Sequence, residues 1–590
     1  MTEQRDRTTV GRVDHLAGDL SRRELMRRAA GVGAAAVVGG ALATHPGAVG
    51  AAPRAQTGDR KVRKLQLLTN PQANVPQEFE TAQVAANQLK QIGITLDVQP
   101  TDNTQLQDFV WFKRDQWDMT MWEMVGRPER LDPDEFVFNL FHSSTAKDGY
   151  NFVGYINPEY DKLAEAQRVE MDREKRKQII TQAQQMIAND QPFLFVVYPG
   201  ANYAYSKAIW DESTVVESKG IGIKAYWTFV GATPLADQKD MILNTQVSVA
   251  AINPLYISGA PDSWVTELIW DRLMRIDPSG LPQPYAAEKV EWTDPQTVVC
   301  TLKAGLMWHD GQPLTVDDVV FSFQAPTADM SPQYAPFVAL IESVAAVGDN
   351  QVQFKLKSPS AAFETSGLAK LNLIPKHIWE PVLADQKAKG KNAQDYQEDT
   401  PIGSGPFKFS NWERQQEIIL EANPNHFQAP KMGKWILRDM PNVSAALGAL
   451  QSGEINFLSD YTGDPELLQQ TVSSTDGLAL VSTIPVGFRF YAPNGRRPPL
   501  DDPALRRAMA TAIGKEQIIQ NIYKTFATVA DSHVSKALEF WHADGLPDFA
   551  KADIDAAKKI LSDAGYTWDD DGNLLYPEGK SETLETGKVS

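Results

Sequence analysis

The stretch from Lys64 to Val98 leaves few folds open. Leu65, Leu67 and Leu68 make a short strand. Residues from about 77 to 91 place Val84, Ala85, Leu89 and Ile92 on one helical face, and Gly93 follows as a natural C-terminal cap. Ile94, Leu96 and Val98 then alternate with Thr95 and Asp97 as a half-buried strand. Strand, helix and strand with short joins require parallel strands and a right-handed crossover. The same alternation recurs along the chain, so an α/β architecture with two lobes is expected.

The far end of the chain poses the complementary problem. In "LSDAGYTWDDDGNLLYPEGK" (561–580) a helix ends at Gly565 and a turn follows at Asp570-Asp571-Gly572. The apolar run Leu574-Leu575-Tyr576 then leads to Pro577-Glu578-Gly579. This reads as the first arm of a β unit, yet only a polar tail comes after it.

A length of 590 residues implies more than one domain. A net charge of −18 argues against nucleic acid, because phosphate contacts need a basic surface. The single cysteine, Cys300, rules out an internal disulfide or a cysteine-based metal cluster. It sits in the alternating run Thr297–Leu302 and is expected to be a buried strand residue.

The N-terminus is similar to a twin-arginine export signal. Arg22-Arg23 follow Ser21, Leu25-Met26 and the small-residue stretch Ala29–Ala43 come next, and Ala48-Val49-Gly50-Ala51 offers residues for cleavage. The apolar stretch is too short for a membrane span. No cysteine lies near the cleavage region, so a lipid anchor is not expected there. The mature protein is expected to be periplasmic or extracytoplasmic.

Local signals place further elements. Pro158 and Asp172 open helices ahead of a buried strand, Phe193–Val197. "GATPLADQK" (231–239) reads as a linker. Thr315 caps a helix with Asp318 at its third position, a capping-box variant with Asp for Glu. Gly453 stops a helix. "WHDG" at His309-Asp310 reads as a tight turn, since no second metal ligand stands at a suitable spacing. "GSGPF" (403–407) lacks the Lys-Ser/Thr of a phosphate cradle, and "DDDG" lacks the later ligands of a calcium loop. No nucleophile elbow is present, so catalysis has little support and no cofactor is expected.

Several stretches together resemble the extracytoplasmic solute-binding proteins of ABC importers, family 5: "LKAGLMWHDGQPLTVDDVVFSF", "TPIGSGPFKF", "LGALQSGEINFL", "PPLDDPALRRAMATAI" and "YNFVGYINPEYDKLAEAQR". The likeness covers nearly all residues from about 60 to 580. It implies a two-lobed type II periplasmic-binding-protein fold of Venus-flytrap form, with an extra subdomain in lobe one. It also implies a monomeric, non-enzymatic receptor that takes oligopeptide-like solutes to a permease and its ATPase subunits. An oligosaccharide or nickel-chelate binder of the same family is the near alternative. A secreted hydrolase is the rival from another class, and a sensor or chaperone on this fold a third.

The order of the segments departs from the family. There the "WHDG" and "GPF" stretches precede "GYINPEYDKL"; here they follow it. Placing 233–590 before 60–232 restores the family order, so the chain resembles a circular permutation. The strand missing after residue 580 is then expected near "RKLQLLT", residues 63–69. The expected division is 1–55 leader and linker, 56–205 second part of lobe two, 206–483 lobe one, and 484–590 first part of lobe two.

The resemblance also implies ligand residues. "NPLYISGAPDSW" resembles the family's lobe-one ligand strand, with Ser258, Gly259 and Ala260 acting chiefly through backbone. Tyr491 and Asn494 match the crossing between lobes, and Trp122 matches the family's lobe-two aromatic. Trp412 either lines the cleft or packs in a core. Classical peptide binders carry an Asp shortly after that Trp; here Glu123 is adjacent and the loop to Pro133 is longer, leaving Glu129 or Asp132 to supply the charge. Asp132 is equally well a turn residue before Pro133.

Overall fold

The computed structural model describes residues 60–580 apart from 127–129, 148 and 236. The stretch that resembles a twin-arginine signal and Glu129 lie outside the described residues.

Local signals act where expected. The first helix runs Pro76–Leu89, tightens through Lys90–Ile92 and is capped by Gly93 at φ 85°. Asp172 caps Arg173–Asp190 by accepting from the Lys175 N–H, and Thr315 and Asp318 form the reciprocal capping box of Val316–Gln324. Gly453 ends Val443–Ser452. Cys300 is fully buried in Thr297–Leu302, and burial pushes its thiol up to about 12.

Two large sheets define two lobes. One has six strands in the order Ala527–Val529, Leu194–Pro199, Phe488–Pro493, Met119–Met124, Leu65–Thr69 and Leu96–Pro100. The strand–helix–strand unit at its edge is parallel, Leu65 opposite Leu96, as the short joins require. The other has seven strands in the order Phe407–Glu413, Glu417–Ala422, Lys434–Asp439, Met241–Thr245, Phe457–Leu458, Ala201–Ser206 and Leu478–Thr483. A four-stranded antiparallel sheet, Ala287–Asp294 to Gln351–Leu356, is the extra subdomain and shares one core with the seven-stranded lobe.

The six-stranded sheet is buried on both faces. Met119, Met121 and Tyr491 pack against Ala85, Leu505 and Leu561, while Phe195, Phe488 and Phe490 pack against Ile180, Ala183 and Ile187 on the opposite face. The period-two alternation of strand side chains sorts them between these two cores.

The β unit left open at the end of the sequence is completed from the other end of the chain. Thr567–Trp568 pairs with Leu574–Leu575, and Leu575 pairs in turn with Lys61, antiparallel. The Val62 N–H donates to the Leu574 carbonyl at 2.8 Å and the Tyr576 N–H to the Arg60 carbonyl at 2.7 Å. The partner is therefore Arg60–Val62, just ahead of the expected segment. At Arg63 the chain turns away, since that guanidinium reaches Asp118 at 2.5 Å, and Leu65–Thr69 enters the large sheet.

One core residue is out of keeping with its surroundings. His533 is fully buried between Phe141 and Phe195, and neither ring nitrogen has a hydrogen-bond partner. Burial pushes its pKa down to about 3, with the charge of His542 adding to the effect. Unfolded His takes up a proton near pH 6.5 and the folded one does not until about 3. Stability is therefore lost as pH falls through that window, at up to about 1.4 kcal/mol per pH unit. His533→Phe is expected to remove this part of the acid sensitivity, raising stability at pH 5 by roughly 2 kcal/mol. Urea melts of both proteins at pH 5 and pH 8 check it; an equal gain at both pH values would sink the explanation.

Candidate functional site: the crevice between the sheets

Two chain segments cross between the lobes side by side. Leu194–Pro199 passes through Gly200 into Ala201–Ser206, and Leu478–Thr483 passes through residues 484–487 into Phe488–Pro493. They pair on both sides, Thr483 opposite Ala201 and Arg489 opposite Val197. Neighbouring backbone closes on both segments: a Cβ on Gly487 would stand 2.5 Å from the Gly126 nitrogen, and one on Gly200 would stand 2.8 Å from the Phe526 carbonyl oxygen.

Strand direction then locates the crevice. In the seven-stranded sheet Met241–Thr245 runs parallel to Lys434–Asp439 and Phe457–Leu458. Phe457 faces Tyr205 and Leu458 faces Ala204, so these strands end toward Ala201, at the crossing. In the six-stranded sheet Leu65–Thr69, Leu96–Pro100 and Met119–Met124 are parallel, and Met124 ends opposite Phe488, again at the crossing. The carboxyl ends of six parallel strands therefore converge on one gap, where open α/β sheets hold ligands. Val247 (56 % exposed) and Val125 (43 %) stand on its two sides as uncovered apolar surface.

The lobe-one wall is built around buried Asp262, in the first turn of Ala260–Ile269. Its carboxylate accepts from the Ala250 and Ser258 N–H groups, each at 2.8 Å, and pins the loop before the helix. Burial raises its pKa against these hydrogen bonds. Ser258 and Ala260 are exposed. The Ser258 N–H is thereby occupied, and the Gln333 side chain holds both the N–H and the carbonyl of Ile257.

The lobe-two wall holds a charged cluster that sequence reasoning missed. Arg489 donates to Glu123 at 2.8 Å, to Gln77 at 3.1 Å and to the Tyr523 hydroxyl at 2.8 Å. Glu78 accepts from Asn70 at 2.7 Å, and burial pushes its pKa up to about 7 against the pull of Arg489. The one available signal was an arginine inside the apolar run Phe488–Ala492.

The other candidates divide. Trp122 is half-buried, edge-on to Trp111 at 5.7 Å and packed near Phe152. Trp412 is half-buried against the lobe-one core, with the Arg414 guanidinium 3.3 Å over its ring. Tyr491 and Asn494 are corrected: both are fully buried inside lobe two. The Tyr491 hydroxyl donates to the Thr81 carbonyl at 2.6 Å. The Asn494 amide donates to the Arg114 and Trp117 carbonyls and accepts from the Arg496 N–H. Asp132 takes the turn position before Pro133. It is buried and paired bidentately with Arg176 at 2.6 and 3.0 Å, while its Oδ1 accepts from the Asp134 N–H.

Along the Asp132 flank the lobes touch. Arg173 meets Glu364 at 3.3 Å, Lys219 meets Glu539 at 2.9 Å, and the Ala361 N–H donates to the Arg168 carbonyl. The cavity left between Asp132, Arg173, Trp292 and Glu364 is about 50 Å³, room for a few waters.

Residues 282–588 match the family model described as bacterial extracellular solute-binding proteins, family 5 Middle. The chain is 27% identical over 356 residues to the oligopeptide-binding protein AppA of Bacillus subtilis, covering 59% of this chain and 64% of that one. It is 27% identical over 350 residues to the dipeptide-binding protein of Escherichia coli, covering 55% and 63%. It thus spans less than two thirds of the length of these relatives. Among solved structures, AppA from Bacillus subtilis in complex with a nonapeptide aligns at 25% identity with a TM-score of 0.44, covering 58% of this chain and 68% of that one.

Proposed function

Because this chain belongs to the bacterial extracellular solute-binding proteins of family 5, we propose that it is a receptor that captures a peptide between its lobes and hands it to an ABC importer. The observation that carries the reading is the convergence of both sheets' carboxyl ends across a two-segment crossing. Such a crossing permits hinge closure around a ligand. Ser258 and Ala260, exposed at the head of Ala260–Ile269, suit contact with a peptide, and the uncovered Val125 and Val247 suit its apolar side chains. The names of the relatives, oligopeptide- and dipeptide-binding, support the ligand class. In this reading the protein is a monomer without catalytic activity, its partners are a permease and ATPase subunits, and it leaves the cytoplasm by the twin-arginine route.

Native mass spectrometry of protein purified without unfolding tests the ligand. Co-purifying masses that fragment as peptides are expected. A sugar mass, or no bound mass together with no thermal shift in peptide mixtures, would overturn the peptide reading.

We also propose that the chain is a circular permutation of the family order, with lobe one contiguous over 206–483 and lobe two divided into 484–590 and 56–205. The pairing of Arg60–Val62 with Leu574–Tyr576 supports this, because a short turn there would make one continuous hairpin. A gene joining residue 580 to residue 60 and opening the chain beside Leu235, 62% exposed, is expected to fold. Its melting temperature should lie within a few degrees of the parent's; an aggregated product would count against the permutation.

A further inference from the structure

Gly222 packs against Tyr203 and Thr483 at the start of the crossing, and Lys224 follows two residues later. Lys224 is half-buried, and its Nζ stands 3.5 Å from the centroid of the Trp264 ring. Among the described residues no hydrogen bond or ion pair fills its three N–H donors. The neighbouring carboxylate, Asp460, lies in the loop after Phe457–Leu458, and its Oδ2 accepts from the Gln246 N–H at 2.9 Å. Burial pushes the ammonium down to about 8, with Asp460 opposing the shift. Trp264 lies one turn beyond Ala260 on the same face of Ala260–Ile269. Ammonium, indole and the exposed start of this helix thus belong to one wall, the wall that carries Ser258–Ala260.

A lysine drawn out of water usually acquires a carboxylate; this one has an aromatic face and unfilled donors. We propose that Lys224, held on Trp264, receives an anionic group of the captured solute, so that the cleft prefers ligands carrying a carboxylate at that point. The inference rests on the peptide reading above. The carboxylate could be a peptide's terminus or an acidic side chain, and the probes separate the two.

Isothermal titration of the full chain with trialanine, trialanine amide and Ala-Glu-Ala amide, at fixed low salt, tests it. Wild type is expected to bind at least one carboxylate-bearing peptide about tenfold more tightly than trialanine amide. Lys224→Met should abolish the difference while still binding the amide, and Lys224→Arg should keep part of it. Preference for trialanine assigns the terminus, and preference for Ala-Glu-Ala amide assigns the side chain. Equal discrimination by wild type and Lys224→Met would overturn the role of Lys224 and leave the peptide reading standing. Binding of none of the three by wild type would overturn both.

Discussion

Gly403→Ala is expected to lower stability by more than about 4 kcal/mol, enough to disrupt lobe one. A Cβ at this position would lie 1.9 Å from the Ile269 carbonyl oxygen and 2.7 Å from its carbonyl carbon, backbone atoms that cannot swing aside as a side chain could. The segment is tied to the end of Ala260–Ile269 by Gly405 N–H to the Ile269 carbonyl at 2.8 Å and by the Trp270 indole N–H to the Ile402 carbonyl at 3.1 Å. The "WHDG" turn grips it from the other side. The Gly403 N–H donates to His309 Nδ1 at 3.3 Å, and His309 Nε2–H donates to the Gly405 carbonyl at 2.9 Å. Two motifs distant in sequence thus form one clamp under the helix that carries Ala260 and Trp264. Gly448→Ala is the control: it is an exposed helical glycine with nothing within 4 Å of the added atom. It should stabilise by about 0.5–1 kcal/mol. Thermal melts of the two variants check both figures, and a Gly403→Ala protein melting with wild type would refute the clamp.

Asp132→Ala is expected to cost about 3–5 kcal/mol, because it strands the buried guanidinium of Arg176. The side chains of the pair are 10% and 4% exposed, and among the described residues Asp132 is the only carboxylate hydrogen-bonded to Arg176. Gln167 would remain as a neutral acceptor at 2.9 Å. The double variant Asp132→Ala/Arg176→Met should recover part of the loss, since no unpaired charge is left. A role for Asp132 in holding a ligand amine predicts the reverse pattern: weakened peptide binding with stability intact. Chemical denaturation alongside peptide titration separates the two. The expected outcome is a loss of stability with affinity per folded molecule unchanged.

These two cases mark how much of the site was legible beforehand. The strand character of Phe488–Pro493 follows from its composition, whereas the full burial of Tyr491 and Asn494 inside lobe two does not. Alternation says that neighbours point to opposite faces, and this sheet is covered on both, so neither face is a ligand wall. The wall is at the strand ends, and strand direction in the assembled sheet, not periodicity, reveals it. Arg489 and Lys224 were passed over for a related reason: a charge in sequence carries no sign of whether it will be paired.

From sequence alone came the features set by neighbours a few residues apart. These are the caps at Asp172, Thr315 and Gly453, the turn at Gly572, the strand–helix–strand unit, the buried Cys300 and the displaced order of the family's segments. Each rests on a short-range backbone preference or on the order of the chain itself. Tertiary structure decided which charges found partners, how Arg60–Val62 meets Leu574–Tyr576, and which loops face each other across the crossing. Those outcomes depend on desolvation and on distances between groups far apart in the chain, 44 residues for Asp132 and Arg176 and hundreds for the others, which exist only once the two sheets have closed their cores.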